Sequence, residues 1–236
     1  MSIEKETFAA KGALARIRAI DEAFGADALL LSSMQKSACV LMHMIHVAQA
    51  KITVGFVDTG LHFPETLALR DDYARRFGLA IETYAPELSP AEQETHYGLP
   101  LYNYVDGQPL CCEMRKEEPF LVASRGKRAT LNGLMRVEGG ARGTLSPIGF
   151  DPRINAPTFH PLFDWTFEDI DAYTAEHELP VHALYEKGYL SIGCGPCTTP
   201  VLPGEDRRAG RWRHLRTEGG AKPQYCNINY SDGGGI

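Results

Sequence analysis

Short β-rich apolar runs, each closed by a polar turn and followed by a stretch with helical spacing, recur along the chain. This alternation restricts it to a few layered α/β architectures. Ala28-Leu29-Leu30-Leu31 ends in Ser32-Ser33 and precedes a predicted helix from about Lys36 to Ala50. Ile52, Val54 and Phe56 alternate with Thr53 and Gly55, stop at Asp58-Thr59-Gly60, and give way to Leu69, Tyr73 and Phe77 at helical spacing. Leu79 to Tyr84 reads as a further strand, Glu113 to Ser124 as a helix, and Arg128 to Leu131 as a strand ending at Asn132-Gly133. Strands that alternate with helices imply a mainly parallel, helix-covered sheet. Thr166 and Asp169 form a capping-box variant that opens a helix predicted to end before Pro180.

With 236 residues, 44% hydrophobic and 23% charged, the chain suits one large soluble domain. We expect that domain over residues 1–218, with residues 219–236, polar and carrying Gly233-Gly234-Gly235, as a mobile tail. A formal charge of −6 supplies no general basic field for nucleic acid, so any anion site must be local. No apolar run reaches membrane-spanning length, and Met1 to Lys11 resembles neither a secretory signal nor a transit peptide, so a cytoplasmic location is expected.

In that compartment the six cysteines are poor candidates for disulfides. Cys39, in an apolar run, reads as a small buried hydrophobe. Cys111-Cys112 and Cys194-Gly195-Pro196-Cys197 offer four soft thiolate donors in two pairs. Adjacent cysteines fit zinc poorly, because zinc sites space each pair by two to four residues, whereas a 4Fe–4S cluster spreads its attachment points over several irons. Zinc, two unrelated thiol pairs and a redox Cys-x-x-Cys are the alternatives.

Ligands of parallel sheets gather at the carboxyl ends of strands, where Ser32-Ser33-Met34-Gln35 and Asp58-Thr59-Gly60 are placed. Ser32, Ser33 and the helix start after Gln35 could hold a phosphate, and the turn Asp58, Thr59, Gly60 could meet ribose or base. The same residues also suit plain caps and turns. Arg115 and Lys116 follow the paired cysteines, while Arg136 and Arg142 flank Glu138-Gly139-Gly140. Arginine forks suit tetrahedral oxyanions, although most such residues are solvated surface charge.

Several ordered motifs resemble the assimilatory sulfonucleotide reductases, in particular the cluster-containing branch that acts on adenosine 5′-phosphosulfate. They are Asp58-Thr59-Gly60-Leu61-His62-Phe63-Pro64-Glu65-Thr66, Cys111-Cys112-Glu113-Met114-Arg115-Lys116, Asp164-Trp165-Thr166-Phe167-Glu168-Asp169 and Gly188-Tyr189-Leu190-Ser191-Ile192-Gly193-Cys194-Gly195-Pro196-Cys197-Thr198. Gly204-Glu205-Asp206 and Gly210-Arg211-Trp212 continue the likeness. It implies a Rossmann-like, adenine nucleotide alpha-hydrolase-like α/β fold with helices on both faces of the sheet. It also implies a 4Fe–4S cluster on Cys111, Cys112, Cys194 and Cys197, and Lys116 between cluster and substrate. The substrate would be held by the Ser32 loop, the Asp58 turn and the arginine loop. In the reaction implied, a tail thiolate attacks the sulfate sulfur, AMP leaves, and thioredoxin or glutaredoxin releases sulfite.

Two places depart from the family pattern. The tail commonly reads Glu-Cys-Gly-Ile/Leu-His, whereas here it is Tyr225-Cys226-Asn227-Ile228-Asn229, which leaves Cys226 as the candidate nucleophile. The loop that usually carries paired arginines and Gln-Ser reads Gly133-Leu134-Met135-Arg136-Val137-Glu138-Gly139, which changes the charge presented to substrate. Competing readings are reduction of the 3′-phosphorylated nucleotide, a non-catalytic nucleotide-binding iron–sulfur redox sensor, and a zinc-stabilised nucleic-acid module. The oligomeric state is left open, with room for a homo-oligomer.

Overall fold

The computed structural model describes residues 3–216, 230–231 and 234–235. In chain order the elements are α1 (Lys5–Ala9), α2 (Ala13–Phe24), β1 (Ala28–Ser32), α3 (Lys36–Ala48), β2 (Thr53–Val57), α4 (Pro64–Phe77), β3 (Ile81–Tyr84) and α5 (Pro90–Tyr97). Then follow α6 (Gly107–Cys112), α7 (Glu118–Ala123), β4 (Ala129–Leu131), β5 (Ile148–Asp151), β6 (Ala156–Phe159) and α8 (Phe167–Glu176). A short ribbon, β7 (Tyr230–Ser231) with β8 (Gly234–Gly235), comes last.

One six-stranded sheet has the order β3-β2-β1-β4-β6-β5, parallel throughout except for the antiparallel edge strand β5. The mainly parallel, helix-covered sheet is as expected. Ala28, Leu29 and Leu30 of β1 are all fully buried although neighbouring side chains point to opposite faces, so both faces of the sheet are covered. α3 supplies much of the core: Ala38 to Ile45 are all buried, between β1, α2 and α8. Among the described residues, no helix is long and apolar enough to cross a membrane.

The chain builds β1, β2 and β3 in one direction and then crosses to the other side of β1 for β4. That reversal opens a crevice above the carboxyl ends of β1 and β4, the usual ligand position in such sheets. Ser32 is the last residue of β1, and Asp58, Asn132 and His160 directly follow β2, β4 and β6 at this edge.

The structure shifts several predicted boundaries. The helix expected from Glu113 begins at Gly107 and runs on through a π-helical turn, Glu113–Glu117, into α7. Leu79 lies just past α4 and closes its C-terminal cap, its N–H bonded to the Ala74 carbonyl, and β3 starts only at Ile81. The Thr166–Asp169 capping box is present in full, with Asp169 Oδ2 accepting the Thr166 N–H at 2.8 Å. Cys39 is buried in the core, where burial pushes its thiol up to about 12.

Candidate active site

The crevice above β1 and β4 is the main cleft. Its walls include Ser32, Ser33, Gln35, Thr59, Lys116 and Arg142 of the predicted set. Asp58, Gly60 and Arg136 do not line it. Asp58 Oδ1 instead accepts the Gly60 N–H at 2.9 Å, closing a tight turn in which Gly60 has φ of +68°, a conformation that favours glycine. Arg136 is exposed, donates from Nε to the Leu145 carbonyl at 2.8 Å and lays its guanidinium over the Phe163 ring. Residues around Cys226, from 217 to 229, lie outside the described residues.

The Ser32 loop is shaped by its own bonds. Ser32 Oγ accepts the Met34 N–H at 3.2 Å, while Gln35 Oε1 accepts the Ile192 N–H at 3.1 Å and so ties the start of α3 to the loop before Cys194. On the β4 side, Asn132 Oδ1 accepts from Leu134 N–H at 3.2 Å and from His160 Nδ1 at 2.8 Å. With its oxygen doubly engaged, Asn132 has only its amide N–H groups left for a ligand. His62 donates from Nε2 to the Val57 carbonyl at 2.9 Å, and its buried Nδ1 has no hydrogen-bond partner among the described residues. Burial holds the His62 imidazole below its ordinary value, so at neutral pH Nδ1 is an acceptor on the cleft wall.

The four paired cysteines converge. Cys111, Cys112, Cys194 and Cys197 line one small cavity with Leu61, Arg115 and Lys116. The Cys194–Cys197 loop is held in place by Gly195 N–H donating to the Leu61 carbonyl at 2.7 Å and by Trp212 N–H donating to the Cys197 carbonyl at 3.0 Å. Cys194 Sγ donates to Thr59 Oγ1 at 3.4 Å, so the Asp58 turn also reaches the thiols. Gln108 Nε2 donates to Cys112 Sγ at 3.0 Å. Burial, then the neighbouring Cys194, raise the Cys111 thiol and push Cys197 up to about 12. Lys116 pulls both back down, as Arg115 does for Cys111 and Arg211 for Cys197. Arg115 is itself a buried brace, donating from Nη1 to the Thr59 carbonyl at 2.8 Å and from Nε to Gln93.

Lys116 and Trp212 line both the thiol cavity and the cleft. The thiols and the crevice are therefore adjoining compartments with a cation at their boundary. Among the described residues no three His, Cys, Asp or Glu side chains come together tightly enough to hold a single metal ion.

Sequence reasoning assigned no role to His62, Asn132, Arg208, Arg211 or Trp212, all of which line the cleft. Arg211 is buried at 6% exposure and lies across Gly193, where a Cβ would stand 2.3 Å from its Nη2. Its Nε is buried with no hydrogen-bond partner among the described residues. Gly193, within the motif that runs from Gly188 to Thr198, was the sequence signal of that close packing.

Comparison with known proteins agrees with this architecture. Residues 27–200 match the Phosphoadenosine phosphosulfate reductase domain. The chain is 38% identical over 201 residues to the adenosine 5′-phosphosulfate reductase of Streptomyces coelicolor, covering 85% of this chain and 83% of that one. It is also 38% identical over 194 residues to the phosphoadenosine 5′-phosphosulfate reductase of Gloeobacter violaceus, covering 80% and 79%. The crystal structure of phosphoadenylyl-sulfate (PAPS) reductase from Candida auris, in a phosphate complex, superposes with a TM-score of 0.71 at 23% identity, covering 83% of this chain and 97% of that one. At that identity the likeness speaks for the fold. A family match across most of the sheet, joined to relatives alike over four-fifths of the chain, means that this protein belongs to the phosphoadenosine phosphosulfate reductase domain family.

Proposed function

We propose that this protein reduces adenosine 5′-phosphosulfate to sulfite and AMP in sulfate assimilation, with a dithiol protein of the thioredoxin or glutaredoxin type as reductant. The observation that carries this reading is Lys116, the cation shared by the cleft at the carboxyl ends of the strands and the four-thiol cavity. The names of most of the similar relatives, such as those from Streptomyces coelicolor and Deinococcus radiodurans, favour the nucleotide without a 3′-phosphate.

In this reading the nucleotide spans the cleft with its sulfate toward Lys116. Lys116, Arg211 and Arg208 neutralise the oxygens of the phosphosulfate, where negative charge builds as AMP departs. The thiolate of Cys226 attacks the sulfate sulfur. One S–S bond forms, the S–O bond to the phosphate breaks, and AMP leaves with that electron pair. A thiolate of the external dithiol next attacks Cys226 Sγ, and sulfite departs with the S–S bonding electrons. The second thiol of the dithiol then releases Cys226, so the dithiol supplies two electrons and ends as a disulfide.

The tail can deliver this thiol. The continuous described stretch before Cys226 runs to Arg216, whose Nη2 donates to the carbonyls of Arg208 at 3.4 Å and Arg211 at 3.2 Å, two residues of the cleft wall. Cys226 follows ten residues later, a reach of up to roughly 35 Å.

The donor set fits a 4Fe–4S cluster. Four soft sulfurs from two separate segments line one cavity, one pair directly adjacent in sequence, a donor set that suits attachment to several irons. Cys111, Cys112, Cys194 and Cys197 would hold it. When bound, the cluster supplies metal–sulfur charge beside Lys116 and ties two distant segments together.

Incubating the full-length holoprotein with substrate carrying labelled sulfur tests the reading. Label should remain covalently on Cys226, and Cys226→Ser should lose it together with sulfite release while AMP binding persists. Normal turnover in that variant would reject the assigned nucleophile, and nucleotide binding without any label would favour a non-catalytic sensor.

A further inference from the structure

Gln108 is 1% exposed, and its Oε1 is buried with no hydrogen-bond partner among the described residues. Its Nε2 donates to Cys112 Sγ at 3.0 Å. Buried amides ordinarily satisfy both ends, so a glutamine that spends its donor on a sulfur and leaves its acceptor idle is out of the ordinary.

The backbone fixes where this side chain stands. A Cβ at Gly107 would lie 2.6 Å from the Leu101 carbonyl oxygen, so the first turn of α6 is pressed against Leu101, and the Gln108 N–H donates to the Tyr104 carbonyl at 2.9 Å. One helical turn later Cys112 comes to the same face, and both residues line the thiol cavity. Cys112 differs from the other three thiols of that cavity. Cys111, Cys194 and Cys197 are each 6% exposed, whereas Cys112 is only partly buried. Iron attached at Cys112 would therefore be the iron most open to water and to competing ligands.

A neutral thiol is a weak hydrogen-bond acceptor, while a metal-bound thiolate is a strong one and has no proton to give. Turning the amide round would set Oε1 against that sulfur, acceptor against acceptor. The side chain as it stands suits a Cys112 that is ligated.

We propose that Gln108 is a positioning residue for the iron site, orienting Cys112 and hydrogen-bonding its ligated sulfur so that metal is retained at the most accessible of the four attachment points. This role rests on the four-cysteine ligand set proposed above and adds a residue outside that set. Groups that hold a metal ligand from behind are worth about tenfold or more in metal affinity.

The test uses full-length protein prepared anaerobically and treated with an excess of ethylenediaminetetraacetate, with loss of the visible sulfur-to-iron absorption followed in time. Gln108→Met and Gln108→Leu, which lack the donor, should each bleach about tenfold faster than the wild type. Before chelator is added, their absorption band should lie at longer wavelength, because a sulfur without its hydrogen bond holds its electrons at higher energy. Loosened packing alone would speed the bleaching and leave the band in place. An unchanged rate or an unmoved band in these variants overturns the role of Gln108 and leaves the ligand set standing. A wild-type protein that holds neither iron nor acid-labile sulfide overturns both.

Discussion

A methyl group at Gly193 would stand 2.3 Å from Arg211 Nη2 and 2.5 Å from its Cζ, closer than any real contact. The obstacle is the end of a flexible side chain rather than backbone, so Gly193→Ala should move the guanidinium without unfolding the loop. We expect AMP affinity to fall by about tenfold or more, the scale of one lost charge-assisted hydrogen bond, with the thermal midpoint little changed. Calorimetry and a melting curve on the same sample check this, and unaltered affinity would remove Arg211 from the anion site. Residue identity was legible wherever chemistry is carried by type, as with the cysteine pairs and Lys116. Side-chain direction was not: Arg136 and Arg142 look equivalent in sequence, yet one lies over Phe163 and the other reaches the cleft. His62 and Asn132 gained meaning only when the Val57 carbonyl and His160 fixed which of their atoms face a ligand.

Cys111 and Cys112 end α6, immediately before the π-helical turn Glu113–Glu117 that carries Arg115 and Lys116. Such turns widen the helix locally and re-aim successive side chains, which here places Arg115 under the Thr59 carbonyl and Lys116 at the boundary of the cleft. The other thiol pair comes from a loop that depends on Leu61 and Trp212 for its position. Because the proposed cluster would join these two elements, Cys194→Ala should lose most iron and acid-labile sulfide when prepared anaerobically. Unchanged iron content would reject the ligand set. Sequence reading started this helix too late because Gly107 and Pro109 look like breakers, although proline is tolerated in a first turn. It also passed over β5 and β6, where Pro147, Pro152 and Pro157 mask a hairpin; the pairing of β6 with β4 begins only at Thr158, beyond the last of these prolines.

Across the whole molecule, buried histidines link stability to acidity. Burial and the nearby His177, His46 and Arg76 bring His43 down to about 4, and burial with Arg142 brings His160 down to about 3. The unfolded chain would protonate both near 6.5, so between that value and the folded ones it binds more protons than the native state. Stability from these two groups is full above about pH 6.5 and declines as pH falls, by about 1.4 kcal/mol per pH unit for each histidine, until the folded group itself protonates. Denaturant midpoints at pH 7, 6 and 5 should decrease in that order, and a flat series would refute the linkage.

The parallel sheet was readable from the strand–turn–helix period, since strands covered on both faces must be apolar runs and their carboxyl ends must carry the polar turns. Its strand order, and hence the crevice between β1 and β4, depends on a crossover that no local pattern encodes.

That crossover also dictates an order of events during biogenesis. One thiol pair emerges before β4, β5 and β6 have been made and the other after them, and Gly195 meets Leu61 only across the finished edge of the sheet. If these four cysteines hold the proposed cluster, it can be completed only after both segments have been made and brought together. A ribosome-bound product halted short of residue 194 would then display only Cys111 and Cys112 of the proposed ligands.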